Sequence, residues 1–147
     1  MSIPEPISAP SAYLGFPFRI TTNGARQSGR QLHIKELVIQ TLLTAENERV
    51  FLPEFGIGLQ RLLFAPMTDT LWDRVETRLV ADLSEVLRGD ADTSSIVVSV
   101  RPDIGNAEIL RIKVKYRLAA IDRNDSVELA LSGDQPLNAN TQQRELL

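Results

Sequence analysis

The chain contains no cysteine. Disulfides, zinc–thiolate sites and cysteine nucleophiles are therefore excluded, and the composition fits a reducing compartment. There is a single histidine, His33. It falls at the start of a helical pattern with no Ser or Cys partner motif nearby and no metal-ligand spacing, so a helix-start histidine is the default reading. Aromatic residues are scarce, at 5%. No run approaches the roughly 20 apolar residues of a membrane span. The opening MSIPEPISAPSAY has neither a basic start nor an apolar core, so it does not read as a secretory signal. Dinucleotide, P-loop, nucleophile-elbow and zinc-protease motifs are all missing. No cofactor, metal or catalytic set is expected.

What is present suits one globular domain. The 147 residues are 43% hydrophobic and 24% charged, with a net charge of −3, enough apolar side chain for a core. The acidic balance argues against a chain built to hold nucleic acid. Residues 1–12, with Pro4, Pro6 and Pro10, predict an extended arm. Residues 13–132 predict a single domain and the polar residues 133–147 a tail.

Within that domain, YLGFPFRI at 13–20 predicts a short edge strand or surface crossing, because proline confines a strand to an edge. Asn23-Gly24 and Ser28-Gly29 carry turn chemistry. Ile34, Leu37, Val38, Thr41 and Leu42 recur at helical spacing and predict a helix over about 32–45. Leu71, Val75, Leu79, Leu83, Val86 and Leu87 predict a second over about 68–88. Thr68 or Asp69 would cap its start and Gly89 its end. The pattern then switches to period two at 96–101, 108–118 and 126–131, with turns at DIGN 103–106 and DRND 122–125. The expected fold is α+β: two main helices packed on a small antiparallel three-stranded meander, with an extended N-terminal arm.

Candidate chemistry is thin. Glu46, Glu48, Glu54, Asp69 and Asp73 are available, yet no pair is marked as the two carboxylates of a glycoside hydrolase. Arg111, Lys113, Lys115 and Arg117 alternate along one strand and form a stripe roughly 20 Å long. They fit a solvent face matched to acids such as Glu128, a docking strip for an acidic partner, or an edge guard. Thr44–Phe64, TAENERVFLPEFGIGLQRLLF, is too rich in Pro, Gly and aromatic residues for a tether and reads as a shaped connector. Glu48 and Arg49 inside it fit equally a surface ion pair or helix-end charge, and a buried or interfacial pairing of Arg49, next to Val50-Phe51-Leu52, with carboxylates or backbone carbonyls.

Leu14-Gly15, Phe16-Pro17, Leu42 to Thr44, Glu48-Arg49, Pro53 to Gly56 and Leu63-Phe64 follow one another in a pattern over residues 13–118. This resembles the baseplate-wedge sheath-initiator family of contractile phage tails, with relatives in type VI secretion and extracellular contractile injection systems. One departure stands out: GDADTSS at 89–95 occupies the place where many members carry Glu-Pro-Arg. Asn47 replaces the usual glycine before Glu-Arg and still tolerates a left-handed backbone.

The resemblance implies a structural, non-enzymatic baseplate component that initiates sheath polymerisation by strand addition. It implies sheath, wedge and tube proteins as partners, about six copies per baseplate, and assembly in the cytoplasm into a tail-like particle. Neither nucleic acid nor membrane insertion is implied. The partner-binding residues it suggests are Glu48, Arg49, Phe55, Gly56 and Phe64 in the connector, with Arg111, Lys113, Lys115 and Arg117 on the meander. The competing reading is a lysozyme-like peptidoglycan hydrolase, described for some family members.

Overall fold

The computed structural model describes residues 12–53, 55–56, 58–66, 68–133 and 135–138. The expected arm, apart from Ala12, lies outside the described residues, as do Glu54 and most of the expected tail.

The chain enters through four two-residue strands: β1 (Tyr13–Leu14), β2 (Ile20–Thr21), β3 (Gly24–Ala25) and β4 (Gln27–Ser28). β2 and β3 pair as a small hairpin, and β1 closes on β4. Gly24 takes the left-handed φ of +104° that the Asn-Gly turn requires. The expected edge strand at 13–20 is thus two short strands separated by a loop with a cis Phe16–Pro17 peptide.

Helix α1 spans Arg30–Leu43, two residues earlier at each end than its apolar spacing predicts. Gly29 stands extended at its start, and at its end the Thr44 hydroxyl donates to the Gln40 carbonyl at 2.7 Å. Ile34, Val38, Thr41 and Leu42 are buried, with Leu37, Ile39 and Leu43 partly so. Glu36 is buried too. It accepts from the Ser28 hydroxyl at 2.8 Å and pairs with Arg26 at 3.2 Å, tying the entry strands to α1. A buried carboxylate needs such partners.

A 3₁₀ helix at Leu59–Phe64 precedes α2, Asp69–Val86. The Thr68 hydroxyl caps α2 by accepting from the Leu71 amide at 3.3 Å, as its sequence position predicts. Trp72, Val75, Leu79 and Leu83 form its buried stripe. Gly89, with φ +90°, lies two residues beyond the cap residue Leu87. There it lets the chain turn so that the amides of Asp90 and Ala91 both donate to the Leu87 carbonyl.

Four antiparallel strands follow in the order β5 (Ala91–Pro102), β6 (Ile109–Leu118), β7 (Arg123–Ser132) and β8 (Gln135–Asn138). Alternation holds the register: Val100 faces Ile112, which faces Leu129, and all three are buried. α2 packs on β5 and α1 on β7, so both helices cover one face of the sheet. Each fully buried Leu or Val there contributes about 1.5–3 kcal/mol over an exposed one.

The α+β class is as the sequence predicts, but three details differ. A fourth strand, β8, forms within the expected tail. β5 starts five residues early, because the register shift between Asp92 and Val97 turns both Ala91 and Ile96 inward. Finally, the β6–β7 turn is at 119–122 rather than 122–125. Asp125 lies within β7 and is held by Lys35 at 3.0 Å and Gln31 at 3.2 Å, both on α1.

Candidate interaction site

The connector after α1 is built almost entirely from backbone bonds. Glu48 accepts from the Ala45 amide at 2.8 Å, and its own amide donates to the Ala45 carbonyl at 3.2 Å. Asn47 adopts φ +65°, as expected of Asn, and its amide reaches the Pro53 carbonyl at 2.8 Å, closing the loop. The amide of Leu52 donates to Arg49, and that of Phe55 to Leu52.

Gly56 and Gly58, at φ +89° and +61°, bring the chain back against the end of α1. A Cβ on Gly56 would sit 2.3 Å from the Thr44 carbonyl oxygen, so no other residue fits without moving the backbone. The Gly58 amide donates to that same oxygen at 3.1 Å, and the Gly56 amide donates to Asp82 of α2 at 3.3 Å.

Glu48 and Arg49 form no ion pair with each other among the described residues, unlike the surface pair that their adjacency suggests. Glu48 is bound to backbone, and the Arg49 guanidinium lies 4.2 Å above the centroid of Phe55. Phe55 and Gly56 are buried, whereas Phe64 is 84% exposed at the end of the 3₁₀ helix. Val50 and Phe51, expected to draw Arg49 inward, point to solvent.

A groove of about 620 Å³ runs between the connector and α2. Glu46, Asn47, Pro53 and Phe55 line one side, and Arg78, Asp82 and Glu85 the other. Arg78 pairs with Glu46 across it. Partial burial raises the Asp82 pKa, against the lowering effect of the Gly56 amide and Arg78. Residue spacing alone does not reveal this groove, because Asp82 and Glu85 fall on the mixed-charge face of α2, opposite its buried stripe.

On the sheet, Arg111, Lys113, Lys115 and Arg117 share the outer face as the alternation predicts. Arg111 pairs with Asp103, and with Glu128 at 3.1 Å. Lys113 lies 3.9 Å from Glu128. Arg117 pairs with Asp92 at 2.5 Å and Asp122 at 3.4 Å. These partners hold the Asp92 and Asp103 carboxyls below the usual carboxylate range; for Asp92 the leading cause is the Ser94 hydroxyl, for Asp103 it is Arg111. Lys115 has no ion pair among the described residues.

The two sides of the sheet differ. Val100 directs its amide away from β6, where it donates to Glu76 of α2 at 2.7 Å. Arg101 pairs with Glu76 at 2.7 Å and also donates to the Val100 carbonyl at 2.7 Å. Both edge groups of Val100 are thus occupied, and Pro102 has no amide to offer. At the other side, β8 covers only the end of β7, opposite Ala130 and Ser132. Residues 123–128 of β7 have no outer strand among the described residues.

His33 stacks on Tyr13, ring centroids 4.0 Å apart, which fits the plain structural reading. No cluster of metal-ligating side chains occurs among the described residues. Nor is any described helix long and apolar enough to cross a membrane.

Two helices on one face of an antiparallel sheet, joined by a backbone-bonded connector, define a small α+β domain of the baseplate-wedge type. The chain belongs to the baseplate wedge protein gp25 family, whose model matches residues 28–123. Membership makes it a structural baseplate component of a phage-tail-like particle. Among solved structures it is similar to a Geobacter sulfurreducens protein named as a candidate tail lysozyme. That match has 22% identity and a TM-score of 0.57, and covers 71% of this chain and 92% of the other. At that identity the likeness concerns the fold. No curated protein matches the chain.

Proposed function

We propose that the chain links the baseplate to the first ring of sheath and initiates sheath polymerisation by strand addition, without a catalytic step. The observation that carries this reading is the inequality of the sheet's edges. β5 is guarded by Glu76, Arg101 and Pro102, whereas β7 carries no outer strand over 123–128 among the described residues. An incoming strand gains main-chain hydrogen bonds at an open edge, and alternation fixes its register. The outward-facing amides there belong to even-numbered residues, because the Val100 amide points away from β6 and Ile112 and Leu129 are therefore a hydrogen-bonded pair; of these amides, that of Ser126 already donates to the Asp125 carboxylate at 2.9 Å.

In this reading the partners are sheath and wedge proteins, with tube proteins as a further contact. About six copies surround the tube in a particle assembled in the cytoplasm, so weak single contacts add up. Glu48, Arg49, Phe55 and Gly56 shape the connector that presents Phe64. Arg111, Lys113, Lys115 and Arg117 form the outer face beside the docking edge, where complementary charge would orient the incoming strand.

Deletion of the gene should leave baseplates and tubes without extended sheath. Glu128→Pro, which removes one outward amide, should abolish nucleation while Glu128→Ala retains it. Normal sheaths in the deletion would refute initiation, and normal sheaths with Glu128→Pro would refute strand addition at this edge.

The groove favours a second reading, a peptidoglycan hydrolase. It brings Glu46, Asp82 and Glu85 together, and burial holds a proton on Asp82 more firmly, as an acid catalyst requires. Against it, Arg78 engages Glu46 and the Gly56 amide engages Asp82. Release of peptidoglycan fragments by the purified chain, lost in Asp82→Asn and Glu46→Gln, would replace the structural reading.

A further inference from the structure

Three consecutive apolar residues at the tip of the connector stand in solvent: Val50 is 87% exposed, Phe51 93% and Leu52 56%. A lone exposed apolar residue is ordinary, but a run of three is not. Nor is this tip a loose loop. The Asn47–Pro53 bond closes its base, the Leu52 and Phe55 amides bond back into it, and Arg49 over Phe55 fills its inner side. Gly56 locks the return against α1. The chain thus holds Phe51 outward at little further cost in ordering, which is how an interface anchor gains affinity.

Beside the tip lies the groove, whose three carboxylates, Glu46, Asp82 and Glu85, outnumber two cations, Arg78 beside Glu46 and Arg88 beside Glu85. We propose that Val50–Leu52 is an anchor that enters an apolar pocket rimmed by basic side chains on a neighbouring protein of the same baseplate. The aromatic tip requires the pocket, and the excess of carboxylates requires the basic rim. A second copy of this chain fits poorly. A two-fold contact through this surface would set Glu46, Asp82 and Glu85 against their own copies. In the chain's basic stripe, Arg111, Lys113 and Arg117 are already matched by Asp92, Asp103, Asp122 and Glu128, which leaves Lys115 alone without an ion pair among the described residues. An anionic membrane fits poorly for the same electrostatic reason. The inference rests on the chain's place in a baseplate and is independent of sheath initiation.

The test is calorimetric titration of the full chain against each purified wedge protein of its baseplate, with sheath protein absent. A failure of sheath nucleation therefore cannot affect the result. One wedge protein should bind, and Phe51→Asp should weaken it about tenfold or more. Glu85→Lys should weaken it several-fold, by less as salt rises. Both side chains are exposed, so both variants should melt like the parent, and Phe51→Ser serves if Phe51→Asp does not.

Four results would each overturn the proposal. One is that no wedge protein binds. Another is that both variants bind with parental affinity. The third is a parental dimer, seen by sedimentation, that Phe51→Asp dissociates. The fourth is co-sedimentation with phosphatidylcholine–phosphatidylglycerol vesicles that Phe51→Asp abolishes.

Discussion

At the scale of single residues, most of the control lies in backbone geometry and in a few buried polar atoms. Gly56 has no substitute, since its Cβ would overlap the Thr44 carbonyl and its φ is left-handed. Gly56→Ala should cost about 2–4 kcal/mol in chemical denaturation, more than glycine's conformational entropy returns. Tyr116 is the opposite case. Its ring is buried on β6, burial pushes the phenol pKa far up, and its hydroxyl meets no hydrogen-bond partner among the described residues. Tyr116→Phe should therefore stabilise the fold by about 1 kcal/mol, read as a higher denaturation midpoint.

Asp82 gives a pH signature. Its folded pKa is raised, so the folded state binds the proton more readily and the side chain's contribution weakens as pH rises through that value. Asp82→Asn should be more stable than the parent at neutral pH. The difference should vanish below the ordinary carboxylate range of about 4. A constant difference across that range would show that the burial of Asp82 is not the cause.

At the scale of elements, the helices and the central strands could be read directly from residue spacing. The Leu71, Val75, Leu79 and Leu83 stripe fixes α2, and strict alternation fixes β6 and β7. The errors arose where local chemistry pointed one way and tertiary partners the other. Asn124 and Asp125 look like turn residues, yet Lys35 and Gln31 on α1 hold Asp125 within β7. The Asp, Thr and Ser at 92–95 mask the start of β5, which persists because Asp92 and Ser95 bond within and across the irregular stretch. The polar β8 carries no alternation to betray it.

In the connector, the motif residues were visible in the sequence, but their contacts were not. Charge order suggested a Glu48–Arg49 pair, whereas the backbone claims Glu48 and an aromatic ring claims Arg49. Asp82 reaches the groove only because the glycines fold the chain back onto α2. Arg49→Ala removes that stacking from a half-buried site and should lower the melting temperature and impair particle assembly. Lys113→Ala removes only a long surface pair and should do neither. Equal behaviour of the two variants would refute a structural role for Arg49.

At the scale of the whole molecule, the β5 side of the sheet is protected by side chains, and the β7 side carries only the short β8 among the described residues. Glu76 reaches from α2 to the Val100 amide, and Arg101 completes the cover. Glu76→Ala should free this edge and produce association that grows with protein concentration in sedimentation, while Glu85→Ala on the same helix leaves the chain unchanged. Absence of any such association would mean that Pro102 and the irregular start of β5 guard the edge without help.

The guarded edge has a consequence in the language of polymers. A repeating unit of a chain grown by strand addition needs two reactive ends, one to receive and one to pass on. Under the proposed function, a sheet with one end blocked is monofunctional: it can begin a chain but cannot be inserted within one. The number of polymers would then follow the amount of this protein directly, and at a fixed supply of sheath subunits a larger amount would give more and shorter polymers.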